Sequence, residues 1–402
     1  MRHSFHTLVA TVRCAIAARA GARNLALAAA LVVGALALEL SSGCGVLDPV
    51  QDLTATLPPP VVGYVAGWEP HGDIRVEQLS AINYAFAHIG ADGRVVLDQA
   101  HAYEDIARLV AMKQRNRHLQ VLISIGGWGA DGFSDAAASA DSRSVFAQSV
   151  VELVDRTQAD GVDIDWEYPG LPGPGIKYRQ EDAENFTQLL RAVRDGLNAL
   201  APRRHTNYYL SAAMADGEFV AHIELQRAAQ YLDWVNLMTY DFHNSLTATT
   251  GHHAALARSA SSAPGERSVE RAVAQFLAAG VPARKLVVGV PFYGRAFAAV
   301  DDANHGLDQP YGHYAGEIPW SKLKDDYIDR NGFVRYWDDM AHEPYLWNAQ
   351  TREFVSYDDR QSLALKAAYV NAQHLHGMMY WEQSQDAQGE LLNVLAVNLR
   401  RN

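Results

Sequence analysis

A closed (β/α)8 barrel with a small inserted α+β subdomain is the fold this sequence predicts, and three observations predict it. Eight short apolar runs alternate with amphipathic stretches between residues 61 and 382. The fourth run carries three alternating acids, the last of them next to its C-terminal end, at the rim where barrels carry their chemistry. After the seventh run, one segment breaks the rhythm with many aromatics and no long helical period. A doubly wound open sheet is the alternative, but it rarely uses eight units.

The strands are expected at 61–68, 81–89, 120–128, 161–168, 208–215, 234–242, 286–293 and 377–382. Helices are expected at 101–114, 142–158, 181–199, 223–229, 268–279 and 359–374. Within 181–199, Phe186, Leu189, Leu190, Val193 and Leu197 repeat at the helical period and mark one buried face. Asp359 suits a helix start. Residues 298–354 are rich in Gly, Pro, Asp, Tyr and Trp, and read as the subdomain inserted between strand seven and its helix. They carry too many aromatics for a disordered loop.

The 402 residues are 49% hydrophobic and 20% charged, which suits a folded globular chain. Arg2, Arg13, Arg19 and Arg23 precede an apolar run of 14 residues from Leu25 to Leu38. That run is short for a membrane span, which needs about 20 residues. Residues 1–43 therefore read as a signal peptide, with a membrane anchor helix as the alternative. Cys14 lies inside this segment and Cys44 just after it, so no pair remains for an internal disulfide. The stretch Leu40-Ser41-Ser42-Gly43-Cys44 resembles the cleavage site of bacterial lipoproteins, with the leucine one place early. That resemblance implies lipid attachment at Cys44 and a lipoprotein of the cell envelope; ordinary cleavage and secretion is the alternative. Residues 44–60 read as a linker and 61–402 as the barrel.

The net charge is −12, and the four arginines and one glutamate of residues 1–43 leave −15 on the remainder. A nucleic acid or an anionic lipid surface is a poor partner for that charge; a neutral sugar is not excluded.

The chemistry-bearing stretch is Asp160-Gly161-Val162-Asp163-Ile164-Asp165-Trp166-Glu167-Tyr168. Alternation along a strand puts Asp163, Asp165 and Glu167 on one face and Val162, Ile164 and Trp166 on the other. Three carboxylates on a buried face repel one another and lose hydration, so at least one keeps its proton near neutral pH. Glu167, nearest the rim, is placed to act as a general acid. A divalent cation site, with Asp241 and Glu382 as further ligands, is the rival reading. His243, His252 and His253 follow the sixth run and also raise a metal reading, although loop histidines more often form hydrogen bonds.

The spacing Asp160-x-x-Asp163-x-Asp165-x-Glu167 resembles the signature of family 18 glycoside hydrolases, the chitinases. Ser124-Ile125-Gly126-Gly127-Trp128, Met238-Thr239-Tyr240-Asp241, Pro291-Phe292-Tyr293-Gly294-Arg295 and Met378-Met379-Tyr380-Trp381-Glu382 resemble its third, sixth, seventh and eighth strand motifs in order. The resemblance covers about residues 61–399. It implies hydrolysis, with retention, of β-1,4 bonds between N-acetylglucosamine units of chitin or its oligosaccharides. The substrate's own acetamido group attacks to form an oxazolinium ion, so the family departs from the usual two-carboxylate scheme. By this resemblance Glu167 protonates the glycosidic oxygen, Asp165 holds the acetamido N–H, Asp163 shares a proton with Asp165, and Tyr240 donates to the acetamido oxygen. Trp381 forms the floor under the sugar, because a flat indole matches an apolar pyranose face. Asp241, Met238, Tyr64, Phe86, Met214, Tyr293 and Arg295 line the central subsite, with Trp128 and Tyr168 as flanking platforms. Trp68, Trp320, Trp337 and Trp347 are weaker choices for remote sugar contacts, and Asp160 is expected to be structural. No cofactor and no metal are implied, and the chain is expected to be a monomer. The rival functions are an endo-β-N-acetylglucosaminidase acting on glycans or peptidoglycan, and a non-catalytic chitin-binding lectin.

Overall fold

The computed structural model describes residues 59–399. The expectations for the signal peptide, for Cys44 and for most of the 44–60 linker lie outside the described residues. In chain order the strands are β1 Val61–Ala66, β2 Ala81–Ile89, β3 Val95–Val96, β4 Gln120–Gly126, β5 Gly161–Asp165, β6 Tyr209–Met214 and β7 Trp234–Leu237. There follow β8 Leu286–Pro291, β9 Tyr293–Ala298, β10 His313–Pro319, β11 Val334–Asp338, β12 Glu343–Asn348, β13 Glu353–Ser356 and β14 Gly377–Trp381. Eight of these, β1, β2, β4 to β8 and β14, pair in parallel, and β14 returns to β1 to close the barrel. The fold is the (β/α)8 barrel that the alternating runs predict.

Several barrel strands stop short of the apolar runs. The run 161–168 yields a strand only to Asp165, 120–128 only to Gly126, and 234–242 only to Leu237. The residues beyond these ends, among them Glu167, Trp128 and Tyr240, leave the ladder and line the cleft instead. The run 286–293 divides: Pro291, which has no N–H to donate, ends β8, and Tyr293 opens β9 in a second sheet. That second sheet is five-stranded, antiparallel, in the order β10-β9-β13-β12-β11. It begins at Tyr293 and ends at Ser356, slightly wider than the 298–354 segment with broken rhythm.

Most of the core lies between the strands and the surrounding helices. The helix Asp182–Arg204 buries Phe186, Leu189, Leu190, Val193 and Leu197, the face its period marks. Each such side chain contributes about 1.5–3 kcal/mol by leaving water. The helix ends on His205 in a left-handed conformation, φ 52°. Asp359 caps the helix Arg360–Ala372 by accepting from the N–H groups of Gln361 and Ser362. A smaller cluster fills the barrel itself, with Val62, Tyr64, Ala85, Phe86, Leu122 and Met379 packed under Trp381. The inserted sheet has its own core around Phe297, Tyr345, Trp347 and Phe354.

Candidate active site

β5 sends Asp163, Asp165 and Glu167 into the barrel, as alternation requires, while Trp166 stacks on Phe133 in the outer layer at 5.3 Å. The three acids form a gradient of depth, at 0%, 4% and 9% exposure toward the rim. Asp163 is fully supplied with donors. Its Oδ2 accepts from Tyr64 Oη at 2.8 Å and Ser124 Oγ at 2.7 Å, and its Oδ1 from Ser211 Oγ at 2.6 Å and Asn236 Nδ2 at 3.1 Å. Burial raises the Asp163 carboxyl, and these four bonds offset only part of that.

Asp165 has no such support. Its Oδ1 is buried without a hydrogen-bond partner. Burial pushes its carboxyl well above the carboxylate range, and the charges of Glu167 and Asp163 add to that. No hydrogen bond joins Asp163 to Asp165 among the described residues, although the charge of Asp163 acts on Asp165. Asp163 has donors on both oxygens and Asp165 has none, so burial holds the Asp165 carboxyl up with nothing to offset it. Burial likewise raises Glu167 to about 7; a hydrogen bond from Tyr168 opposes this and the charge of Asp241 reinforces it.

Two glycines at the end of β4 make room for this arrangement. Gly126 has φ +118° and Gly127 φ +94°, both left-handed. A β-carbon on Gly126 would overlap the Asp165 carbonyl, and one on Gly127 would stand 2.6 Å from Phe86 Cε2. The Gly127 N–H donates to the Asp165 carbonyl at 2.9 Å.

Above the acids lies a cleft of about 960 Å³, lined by Phe86, Trp128, Tyr168, Met238, Tyr240, Asp241, Tyr293, Arg295 and Trp381 as well as Asp165 and Glu167. Trp381 stacks on Phe86 at 5.6 Å and tilts over Tyr64 at the same distance. Trp128 stands exposed at the rim, edge-on to Tyr168 at 6.4 Å. Tyr240 meets Tyr293 edge-on at 6.4 Å, and none of the described residues accepts a hydrogen bond from its hydroxyl. Asp241 accepts from Tyr293 Oη and Arg295 Nε on one oxygen, both at 2.8 Å, and from Arg295 Nη2 at 2.5 Å on the other. Burial alone would raise Asp241, but His253 and Arg295 outweigh it and hold the carboxyl well below the usual range.

Two residues expected at the central subsite are elsewhere. Met214 is buried in the layer between barrel and helices, not in the cleft. Ser211 points inward to Asp163, so Met214, three positions later on β6, points outward, and Ala215 lines the cleft in its stead. Tyr64 does not line the cleft either; it lies beneath, 1% exposed, holding Asp163 from below. Trp320 and Trp347 are core residues, and Trp337 packs under the Arg335 guanidinium, while Trp68 does line the cleft. Asp160 is structural, accepting from the Val121 N–H at 2.7 Å and pairing with Lys113.

Sequence reasoning missed Phe219, Arg267 and Leu246, which complete the cleft wall. Arg267 is held by the buried Asp216 and covers Phe219 and Phe242. These residues sit in connecting loops with no local motif; Asp216, just past a strand end, was the one available signal.

For a metal, the rival ligands are already engaged. Glu382 accepts from the Ser384 N–H at 3.0 Å, and Asp241 is taken by Arg295. His243, His252 and His253 face Glu266, Asp338 and Asp241, one carboxylate each. Among the described residues no group of three or more His, Cys, Asp and Glu is arranged to hold a metal ion.

The family model for glycosyl hydrolases family 18 matches residues 60–386. The chain belongs to glycosyl hydrolases family 18. Within the family it is similar to Chitinase A1 of Niallia circulans, at 40% identity over 84% of this chain. The chain spans 58% of that relative's length. Among solved structures it is similar to a family 18 N-acetylglucosaminidase from Paenibacillus barengoltzii, with 38% identity and a TM-score of 0.79 over 85% of this chain and 99% of that one. It is also similar to a family 18 chitinase from Cycas revoluta in complex with (GlcNAc)3, at 27% identity and a TM-score of 0.75 over 84% of this chain and 99% of that one. The acid-bearing strand and the aromatic cleft thus belong to a family 18 barrel.

Proposed function

We propose that this chain hydrolyses β-1,4 bonds between N-acetylglucosamine units of chitin or chito-oligosaccharides, with retention and through an oxazolinium intermediate. The observation that carries this reading is Glu167, a carboxyl raised to about 7 at the floor of an aromatic cleft beside a buried, unpartnered Asp165 oxygen. Glu167 gives its proton to the glycosidic oxygen as the bond to the anomeric carbon breaks. The acetamido oxygen of the same sugar closes on that carbon; being tethered, it has a large effective concentration. Asp165 accepts the acetamido N–H on its free oxygen, and Asp163 behind it raises its affinity for a proton. Tyr240 donates to the acetamido oxygen and holds it in line. Glu167, now ionised, takes a proton from the water that opens the oxazolinium ring. Trp381 carries the sugar on its face.

Glu167→Gln tests this. Turnover of N-acetylglucosamine oligomers should fall by about 10²–10⁴-fold while binding of the oligomer persists. Near-normal turnover in that variant would refute the assignment.

A second reading, an endo-β-N-acetylglucosaminidase acting on glycan or peptidoglycan, draws support from the similarity to the Paenibacillus barengoltzii N-acetylglucosaminidase. Digesting chitin, N-glycans and peptidoglycan side by side separates the two, since activity confined to the latter pair selects the second.

The chain further acts as an exported monomer, tethered to the cell envelope by a lipid on Cys44, a position supported by the apolar run and the cysteine at its end. Cys44→Ser should move it from the membrane to the soluble fraction, where it should sediment as a monomer. An unchanged partition or a dimer would reject this.

A further inference from the structure

Beneath the cleft lies an imidazole that the proposed reaction does not use. His253 is fully buried and does not line the cleft. Its backbone is fastened on both sides: its carbonyl accepts from the Phe242 N–H at 3.0 Å, and its N–H donates to Ser356 Oγ of β13 at 2.8 Å. Its ring leans on Tyr293 at 5.4 Å. Yet both ring nitrogens are buried without a hydrogen-bond partner. In the same loop region His243 Nε2 and His252 Nε2 each meet a carboxylate, at 2.7 Å and 3.2 Å, and only His252 Nδ1 shares the idle state of the two His253 nitrogens.

An idle buried polar group costs about 1–3 kcal/mol, which an apolar side chain of like size would avoid. A charged group stands close by, Asp241, whose Oδ1 is 3.6 Å from His253 Nδ1. Asp241 follows Tyr240 directly and has a left-handed backbone, φ +57°, uncommon for a residue with a side chain. Tyr293, which donates to the same Asp241 oxygen, is the ring against which His253 packs. Burial holds the His253 imidazole below its ordinary range although Asp241 pulls the other way, so it is neutral and carries one N–H.

We infer that His253 is a positioning residue: its Nδ1–H backs the Asp241 carboxylate and, through it, fixes Tyr240 in the cleft. The inference rests on the proposed chitin hydrolysis, since Asp241 and Tyr240 matter only if a sugar is turned over between them. His253 touches no substrate and acts on the reaction through its neighbours alone.

The test compares His253→Leu, which keeps bulk without a donor, with His253→Asn, whose amide N–H can stand where Nδ1 stands. Wild type is assayed alongside on N-acetylglucosamine oligomers. An inactive wild type would remove the proposed function itself; the outcomes below presuppose an active one. His253→Leu, which removes the N–H that faces the Asp241 carboxylate, should lower kcat about tenfold, with KM changed less than about twofold. His253→Asn should recover most of that loss. Equal kcat in wild type and His253→Leu, or equal loss in both variants, would overturn the inference. A measurement on the unaltered chain keeps it testable if His253→Leu fails to fold. Ring 15N shifts of labelled histidine, assigned by the signal missing in His253→Asn, should show the Nδ1–H tautomer. The Nε2–H tautomer would turn a lone pair toward Asp241 and sink the inference.

Discussion

Gly126 at the end of β4 faces the carbonyl of Asp165 at the end of β5 so closely that no side chain fits between them. The same glycine has φ +118°, and Phe133 Cε2 would stand 2.8 Å from its β-carbon. The glycine pair is therefore a spacing device for the catalytic strand. Gly126→Ala should cost about 3 kcal/mol, from backbone strain with steric overlap added, and should lower kcat by displacing Asp165. Denaturant unfolding and oligomer turnover check the two halves. Stability and turnover within error of wild type would contradict the account.

The pH dependence follows from Glu167. Its ordinary value of 4.5 is raised to about 7 in the folded chain. The proton needed for leaving-group departure is present below that value, so kcat/KM should decline tenfold per pH unit above about 7. The same shift acts on stability. Both folded and unfolded chains hold this proton below 4.5, and the folded chain loses stability as pH rises from there through about 7. Glu167→Gln should therefore gain stability over wild type at pH 8 and show no gain at pH 4. A constant difference across that window would count against a raised Glu167.

Trp381 touches both Phe86 and Tyr64 yet leaves a face open to the cleft. Trp381→Ala should reduce kcat/KM for oligomers by about 10–100-fold, roughly 1.5–3 kcal/mol, as expected for a central aromatic anchor. Trp381→Phe should keep most of the activity. Steady-state kinetics on one oligomer length decides it, and an unaffected alanine variant would deny the floor its role.

A buried charge cluster joins the inserted sheet to the barrel. Lys366 Nζ lies 2.6 Å from both oxygens of Asp358 and 3.1 Å from Glu343 Oε2, all three residues being fully or almost fully buried. Burial first, and the charge of Asp358 next, push the Glu343 carboxyl well up, against the pull of Lys366. Lys366→Met should cost about 3–5 kcal/mol by leaving Asp358 unpaired, and adding Asp358→Asn should restore part of it. Chemical denaturation of both variants measures this; a single variant as stable as wild type would show that the pair is not needed.

Much of the site was legible in the residues themselves, because the features concerned are local. A period of two along residues 161–167 is enough to align three acids, and a period of 3.6 is enough to mark the buried face of Asp182–Arg204. Met214 shows the limit of such reasoning. The family resemblance implies a place in the cleft, but its direction depends on which neighbour faces Asp163, and Ser211 does. Tyr64 shows a second limit: an aromatic on an inward face can sit above or below its neighbours, and depth is not a property of the strand that carries it.

The alternation of strands and helices, the facing of Asp163, Asp165 and Glu167, and the aromatic strand ends can be read from the residues alone, since each is set by neighbours a few residues apart. Only the tertiary structure decided that four donors from β1, β4, β6 and β7 converge on Asp163, that Asp165 is left without one, and that Phe219, Arg267 and Leu246 close the wall. Those outcomes depend on which strands become neighbours when the barrel closes and on how its loops pack, and both are settled by contacts between residues far apart in the chain.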